Sequence, residues 1–169
     1  MPFTPFHMGA ALLGKGLSPG SQSIVFFGAC QVAIDLEPAI KMLIGYSGSL
    51  HSITHNFFGM AVTVALCGVL WSWAQKQAWW GQGMPVLSKT SLWDTAWWAV
   101  VTHFLLDLMS HSDMGYGSSL WIGIEEAEGL AIALGVMGLV SLAIRWLSRK
   151  VIGGVQALLM TDRRRETPD

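Results

Sequence analysis

The chain has 169 residues, 52 % of them hydrophobic and only 12 % charged, with a formal net charge of −1 and a mean hydropathy of +0.47. That balance excludes an ordinary soluble domain and points to one small membrane domain, all-α, because a single chain of this size crosses lipid most simply as helices. It also argues against nucleic acid as a partner, since the one dense basic cluster, Arg163-Arg164-Arg165, sits in the tail.

Met1 to His7 lacks the basic region and small-residue cleavage site of a removable signal, so the first helix is expected to stay in the mature protein. Thr4-Pro5 reads as its start, and His7, Ala10, Ala11 and Gly14 then share a face whose small residues permit close packing. It ends near Gly14-Lys15-Gly16, with Ser18-Pro19-Gly20 as a turn. At about 18 Å it is too short to span. If the chain reverses at that turn, His7 returns to the level at which the next helix ends.

That next helix is expected from Ser23 to Ile34 and to break at Asp35-Leu36-Glu37-Pro38, where proline removes a backbone donor, with a separate short turn from Ala39 to Ile44. The glycine- and serine-rich Gly45 to Ser49 is a loop. The clearest span begins near His51 or Thr54 and runs through Trp73, which puts both histidines on its first turn. A Gly-, Gln- and Trp-rich loop follows, and Thr90-Ser91 offer caps for a helix that carries His103, Asp107 and His111 at four-residue spacing. Ser112 to Gly123 is a loop, and the last apolar run extends from Gly129 to Trp146. Cys30 and Cys67 stand singly in apolar runs and read as packing.

The expected architecture is a polytopic bundle of about four transmembrane helices plus a short N-terminal helix, a single domain over residues 1–160 with a polar tail at 161–169. Lys76 and Lys89 share one connection and Arg145, Arg149 and Lys150 follow the last helix, whereas Glu125, Glu126 and Glu128 lie in the opposite one. The positive-inside rule then puts the C-terminus in the cytoplasm, with Trp71, Trp73, Trp79, Trp80, Trp93, Trp97, Trp98 and Trp146 as an interfacial belt on that side.

This topology gathers His7, Asp35, Glu37, His51, His55, His103, Asp107 and His111 towards one membrane level. An ionisable group in lipid costs roughly 3 kcal/mol or more, so such a gathering needs compensation. Histidine and carboxylate without cysteine suit zinc, manganese or iron, as one ion or two. Each residue also has a plainer role: Glu37 pairs with Lys41 on a local turn, His7 sits at the interface, His51 is solvated, His111 caps a helix, and the rest form a hydrogen-bonded polar cluster.

His7, Ile34-Asp35-Leu36-Glu37, His51-Ser52-Ile53-Thr54-His55-Asn56 and His103-Phe104-Leu105-Leu106-Asp107 together resemble a family of bacterial inner-membrane proteins described as membrane-bound metal-dependent hydrolases. That family shows an early His, a Pro-Asp-x-Asp segment, an Arg-Gly-x-Thr-His-Ser segment opening a helix, and a later His-x-x-x-Asp. Here His51 stands for the arginine, Ser52 for the glycine, Glu37 for the second aspartate and Asn56 for the serine. The resemblance covers the first two-thirds of the chain and implies a hydrolase of the bacterial inner membrane. A lipid or lipid-linked phosphoester is the substrate that this location favours, with membrane lipids as surroundings. The competing expectations are a non-enzymatic subunit bound to a membrane-protein partner, and a haem carrier with two axial histidines.

Histidine ligates metal only when deprotonated, so a metal-binding chain should lose affinity steeply below about pH 6.5. Bound metal measured after dialysis at about pH 5.5 and about pH 7.5 checks this, with retention only at the higher value expected.

Overall fold

The structure is a computed structural model that describes residues 7–48, 53–81, 83–110 and 124–165. Every regular element among the described residues is a helix: α1 (Met8–Leu17), α2 (Ile24–Leu43), α3 (Phe57–Ala74), α4 (Lys89–Ser110) and α5 (Ile124–Arg165). Helices α2, α3 and α4 pack on one another around Phe26, Phe27, Cys30, Ile34, Met60, Val64, Ala99 and Val100, while α1 lies between this group and α5.

Large apolar side chains face outward, the reverse of a soluble domain. Val25, Val32 and Leu36 on α2, Val62, Leu66 and Val69 on α3, and Ile132, Val136 and Val140 on α5 are all more than two-fifths exposed. Two helices are long and apolar enough to cross a membrane, Phe57–Ala74 and the Glu128–Gly154 part of α5. Helices α2 and α4 are less apolar because they carry Asp35, Glu37 and Lys41, and Lys89, Asp94, His103 and Asp107.

Three boundaries differ from the sequence reading. Helix α2 does not break at Pro38 but runs on to Leu43. A proline at this position leaves the Ile34 carbonyl without its helical donor, and the Thr54 hydroxyl lies 2.8 Å from that oxygen instead. Helix α3 starts at Phe57 rather than near His51 or Thr54, because Asn56 caps it by accepting from the Gly59 N–H at 2.8 Å. His55 therefore occupies a turn and not a helical face. That turn folds tightly over the helix start: a Cβ on Gly59 would fall 1.8 Å from the Ile53 carbonyl oxygen. Helix α5 continues well past Trp146, reaching 42 residues. At the α-helical rise that is about 63 Å, twice the hydrocarbon thickness.

Distances along the chain set the level of the site. Thr95 on α4 is tied to the turn between α1 and α2, accepting from the Ser23 N–H at 3.0 Å and donating to the Ser21 carbonyl at 3.3 Å. From that turn α1 runs back to His7, α2 runs on to Asp35, and α4 runs from Thr95 to His103 and Asp107, each path about 12–18 Å at 1.5 Å per residue. The three helices thus deliver their polar residues to one depth.

Small residues bring α1 and α5 into backbone contact. A Cβ on Gly138 would lie 2.2 Å from the Leu12 carbonyl carbon, and one on Gly16 would lie 2.7 Å from the Gly138 oxygen. Ser141 Oγ donates to the Gly16 carbonyl at 2.9 Å and Arg145 to that of Leu17 at 3.0 Å. Trp98, assigned to the belt from sequence, is instead a brace: its indole N–H donates to the Ala10 carbonyl at 2.8 Å. Gly138→Val should force the two helices apart and destabilise the fold by about 1–3 kcal/mol, read as a lower unfolding temperature in detergent.

Candidate metal centre

Five of the eight residues singled out from the sequence come together: His7 just before α1, Asp35 on α2, His55 in the turn before α3, and His103 and Asp107 one turn apart on α4. His7, His55, His103 and Asp107 are buried to 3 % exposure or less. The Asp35 side chain, 21 % exposed, is the member nearest solvent. His51 and His111 lie outside the described residues.

Glu37 does not join them. Its carboxylate accepts from the backbone N–H groups of Thr54 at 2.6 Å and Ile53 at 3.2 Å, and meets Lys41 at 2.7 Å. It clamps the turn that presents His55. The local pairing with Lys41 considered from sequence is present, and the clamp on the turn is added to it.

Two neighbours that sequence reasoning passed over set the ring tautomers. The Thr54 hydroxyl lies 2.8 Å from the Ile34 carbonyl and 2.9 Å from Glu37 Oε2, both pure acceptors, so its proton belongs to one of them. Its lone pair then accepts from His55 Nδ1, 3.1 Å away. In the neutral ring His55 Nε2 is then the acceptor nitrogen. On α2, the Gln31 amide donates through Nε2 to the Ala99 carbonyl at 3.3 Å, which turns its oxygen towards His103 Nδ1. His103 Nδ1 is therefore a donor, and in the neutral ring Nε2 is the acceptor nitrogen. The signals were available, Gln31 as a lone amide in an apolar stretch and Thr54 as the threonine before His55 in the motif that the resembled family shares.

Both Nε2 nitrogens face carboxylate oxygens. His55 Nε2 is 3.4 Å from Asp35 Oδ1 and 3.6 Å from Asp107 Oδ2. His103 Nε2 is 3.5 Å from Asp35 Oδ1 and 3.0 Å from Asp107 Oδ2. A lone pair pointed at an anion is repulsive unless a proton or a metal cation stands between them. Tetrahedral ligands on bonds of about 2.0–2.1 Å are separated by about 3.3 Å, longer than a hydrogen bond of about 2.9 Å. Three of the four separations exceed the hydrogen-bond range and scatter around that polyhedron edge. Two groups could hold a divalent cation, Asp35 with His55 and His103, and His7 with His103 and Asp107, the ligand atoms of each lying within 4.8 Å of one another, with the Nδ1 atoms of His55 and His103 anchored as those of metal-ligating histidines usually are.

His7 adds to the same patch. Its Nε2 is 3.4 Å from Asp107 Oδ1, and its ring lies over that of His103. Among the described residues neither of its ring nitrogens, nor His103 Nε2, makes a hydrogen bond of standard geometry. Buried polar atoms in that condition call for a partner.

Comparison with family models, curated proteins and solved structures finds no match to this chain.

Thr54→Val and Gln31→Leu each remove a tautomer-setting contact while leaving every first ligand in place. Each should weaken metal binding by about 10–100-fold without loss of helix content, measured by competition with a chromophoric chelator.

Proposed function

We propose that this chain is a membrane-embedded, metal-dependent hydrolase acting on a lipid or lipid-linked phosphoester. The single observation that carries the reading is that Nε2 of His55 and of His103, whose Nδ1 atoms are both engaged by neighbours, lie 3.0–3.6 Å from carboxylate oxygens of Asp35 and Asp107. Zinc suits this nitrogen and oxygen set, with manganese or iron as substitutes. A divalent ion held there supplies Lewis-acid polarisation of a phosphoryl oxygen and a water acidic enough to ionise near neutral pH.

The chain's own residues do the rest. Thr54 and Gln31 fix the two ring orientations, and Glu37 holds the turn that carries His55. Burial of His55, His103 and Asp107 keeps bulk water from competing at those ligands. Asp35, partly exposed, faces the approach. In sequence it adjoins Leu36, and His55 lies between Ile53 and Phe57-Phe58, all of them exposed apolar side chains. Such a rim suits an acyl-bearing substrate that enters from the bilayer.

In this reading α2, α3, α4 and α5 all cross a bacterial inner membrane, a multi-pass arrangement with the C-terminus cytoplasmic. The outward faces of α2 and α4 support it, because Val25, Val32, Leu36, Trp93, Trp97 and Leu105 are exposed while Asp35, His103 and Asp107 turn inward to one another. The chain is then a member of the inner-membrane hydrolase family that its four motifs resemble.

The test is metal content of the purified full chain by mass spectrometry, with hydrolysis of lipid phosphoesters assayed alongside. Wild type should carry zinc at neutral pH, and His103→Ala and Asp107→Ala should lose it together with about 100-fold or more of the hydrolysis. A wild type that binds no divalent metal refutes the proposal.

A further inference from the structure

The His7 and His103 rings lie face to face, centroids 4.2 Å apart and planes 15° from parallel. A side-by-side, coplanar arrangement is impossible at that separation because the ring edges would interpenetrate. An imidazole binds a metal through a lone pair that lies in the plane of its ring. Stacked rings cannot approach closer than about 3.4 Å, and planes tilted by so little meet only roughly 13 Å away. An ion midway between them would stand about 1.7 Å out of either plane on a bond of about 2.0 Å, far off both lone pairs. One ion cannot take both rings.

Asp107 divides in the same way. Its Oδ2 faces His103 at 3.0 Å and His55 at 3.6 Å, whereas its Oδ1 faces His7 at 3.4 Å. The His7 separation repeats the spacing seen around the other nitrogens. The ring spacing also falls close to the distance of about 3.5–4 Å between the ions of two-metal sites that clamp a phosphoryl group.

We infer that the centre takes two inequivalent divalent ions bridged by Asp107, a tight one held by His55, His103, Asp35 and Oδ2, and a looser one held by His7 and Oδ1. The inference rests on the metal-centre reading above and deepens it. His7, His103 and Asp107 offer ligand atoms close to one another, and so do Asp35, His55 and His103; because the stacked rings cannot share an ion, His103 goes with the second set, joined by Asp107 Oδ2, and His7 is left with Oδ1 as two protein ligands among the described residues. The looser position therefore keeps coordination sites for oxygens of an anionic substrate, which narrows the substrate class to phosphate esters and diesters over neutral carboxylic esters. Two divalent ions facing two carboxylates leave net positive charge to receive such an anion.

The experiment is zinc titration of the purified full chain, previously stripped with chelator, followed by metal analysis at equilibrium. Wild type should bind close to two zinc ions per chain in two phases, and His7→Ala should bind close to one with the tight phase unchanged. Manganese loading gives a second readout on the unaltered chain. Electron paramagnetic resonance should then give a spin-coupled pair rather than isolated ions. One zinc per wild-type chain with isolated manganese signals overturns the inference and leaves a single-ion centre standing. Two zinc ions retained by a folded His7→Ala chain overturn the assignment of the looser ion. No zinc at all overturns the metal reading itself.

Discussion

Two ring nitrogens set against two carboxylates, inside a bundle whose outer surface is apolar, form the constraint that the surrounding structure answers. With both rings neutral and neither a proton nor a metal ion between them, the four groups repel, and burial makes the cost greater. A cation between them reverses the sign, turning mutual repulsion into shared attraction. The neighbouring residues are organised around directing those nitrogens at the carboxylates. Thr54 and Gln31 engage Nδ1 of each ring, and both also join elements, Gln31 through the Ala99 carbonyl of α4 and Thr54 at the Ile34 carbonyl of α2.

The link from backbone to chemistry runs through Pro38. A proline inside α2 costs one helical hydrogen bond and exposes the Ile34 carbonyl. Thr54 lies against that carbonyl and against Glu37, whose carboxylate also gathers two backbone N–H groups of the same turn. The irregularity in one helix thereby becomes the anchor of a turn on the next, and the anchored residue is the one that sets His55. Buried backbone polar groups need partners, and here their satisfaction also positions His55.

Much of this was legible in the sequence, for reasons that separate clearly. The i, i+4 pair His103 and Asp107 stands out in an apolar helix, and chain lengths between turns are enough to bring His7 and Asp35 to its level. Helix boundaries were less legible. Proline predicted a break that a side chain from another segment repaired, and His55 was assigned to a helix that Asn56 in fact begins after it. Glu37 shows the limit most sharply. Its spacing from Asp35 matches a ligand pair, but a carboxylate that can reach backbone N–H groups and Lys41 is satisfied locally before it reaches a metal. Nothing in one-dimensional spacing distinguishes a carboxylate with competing donors from one without.

The helix that lies farthest from the polar cluster in sequence is bound to it by sterics. Helix α5 contributes none of the five clustered residues, yet α1 rests on it through backbone contacts that only glycine allows at positions 9, 16 and 138. Position 7 immediately precedes α1, so the height and tilt of that helix set where the His7 ring falls over His103. A side chain added at the glycine seam lifts α1 by the thickness of a methyl group, comparable to the tolerance within which a ligand must be held. The small residues of α1 and α5 therefore act on the cluster from outside it, and α5, which contributes none of the five clustered residues, becomes part of its geometry.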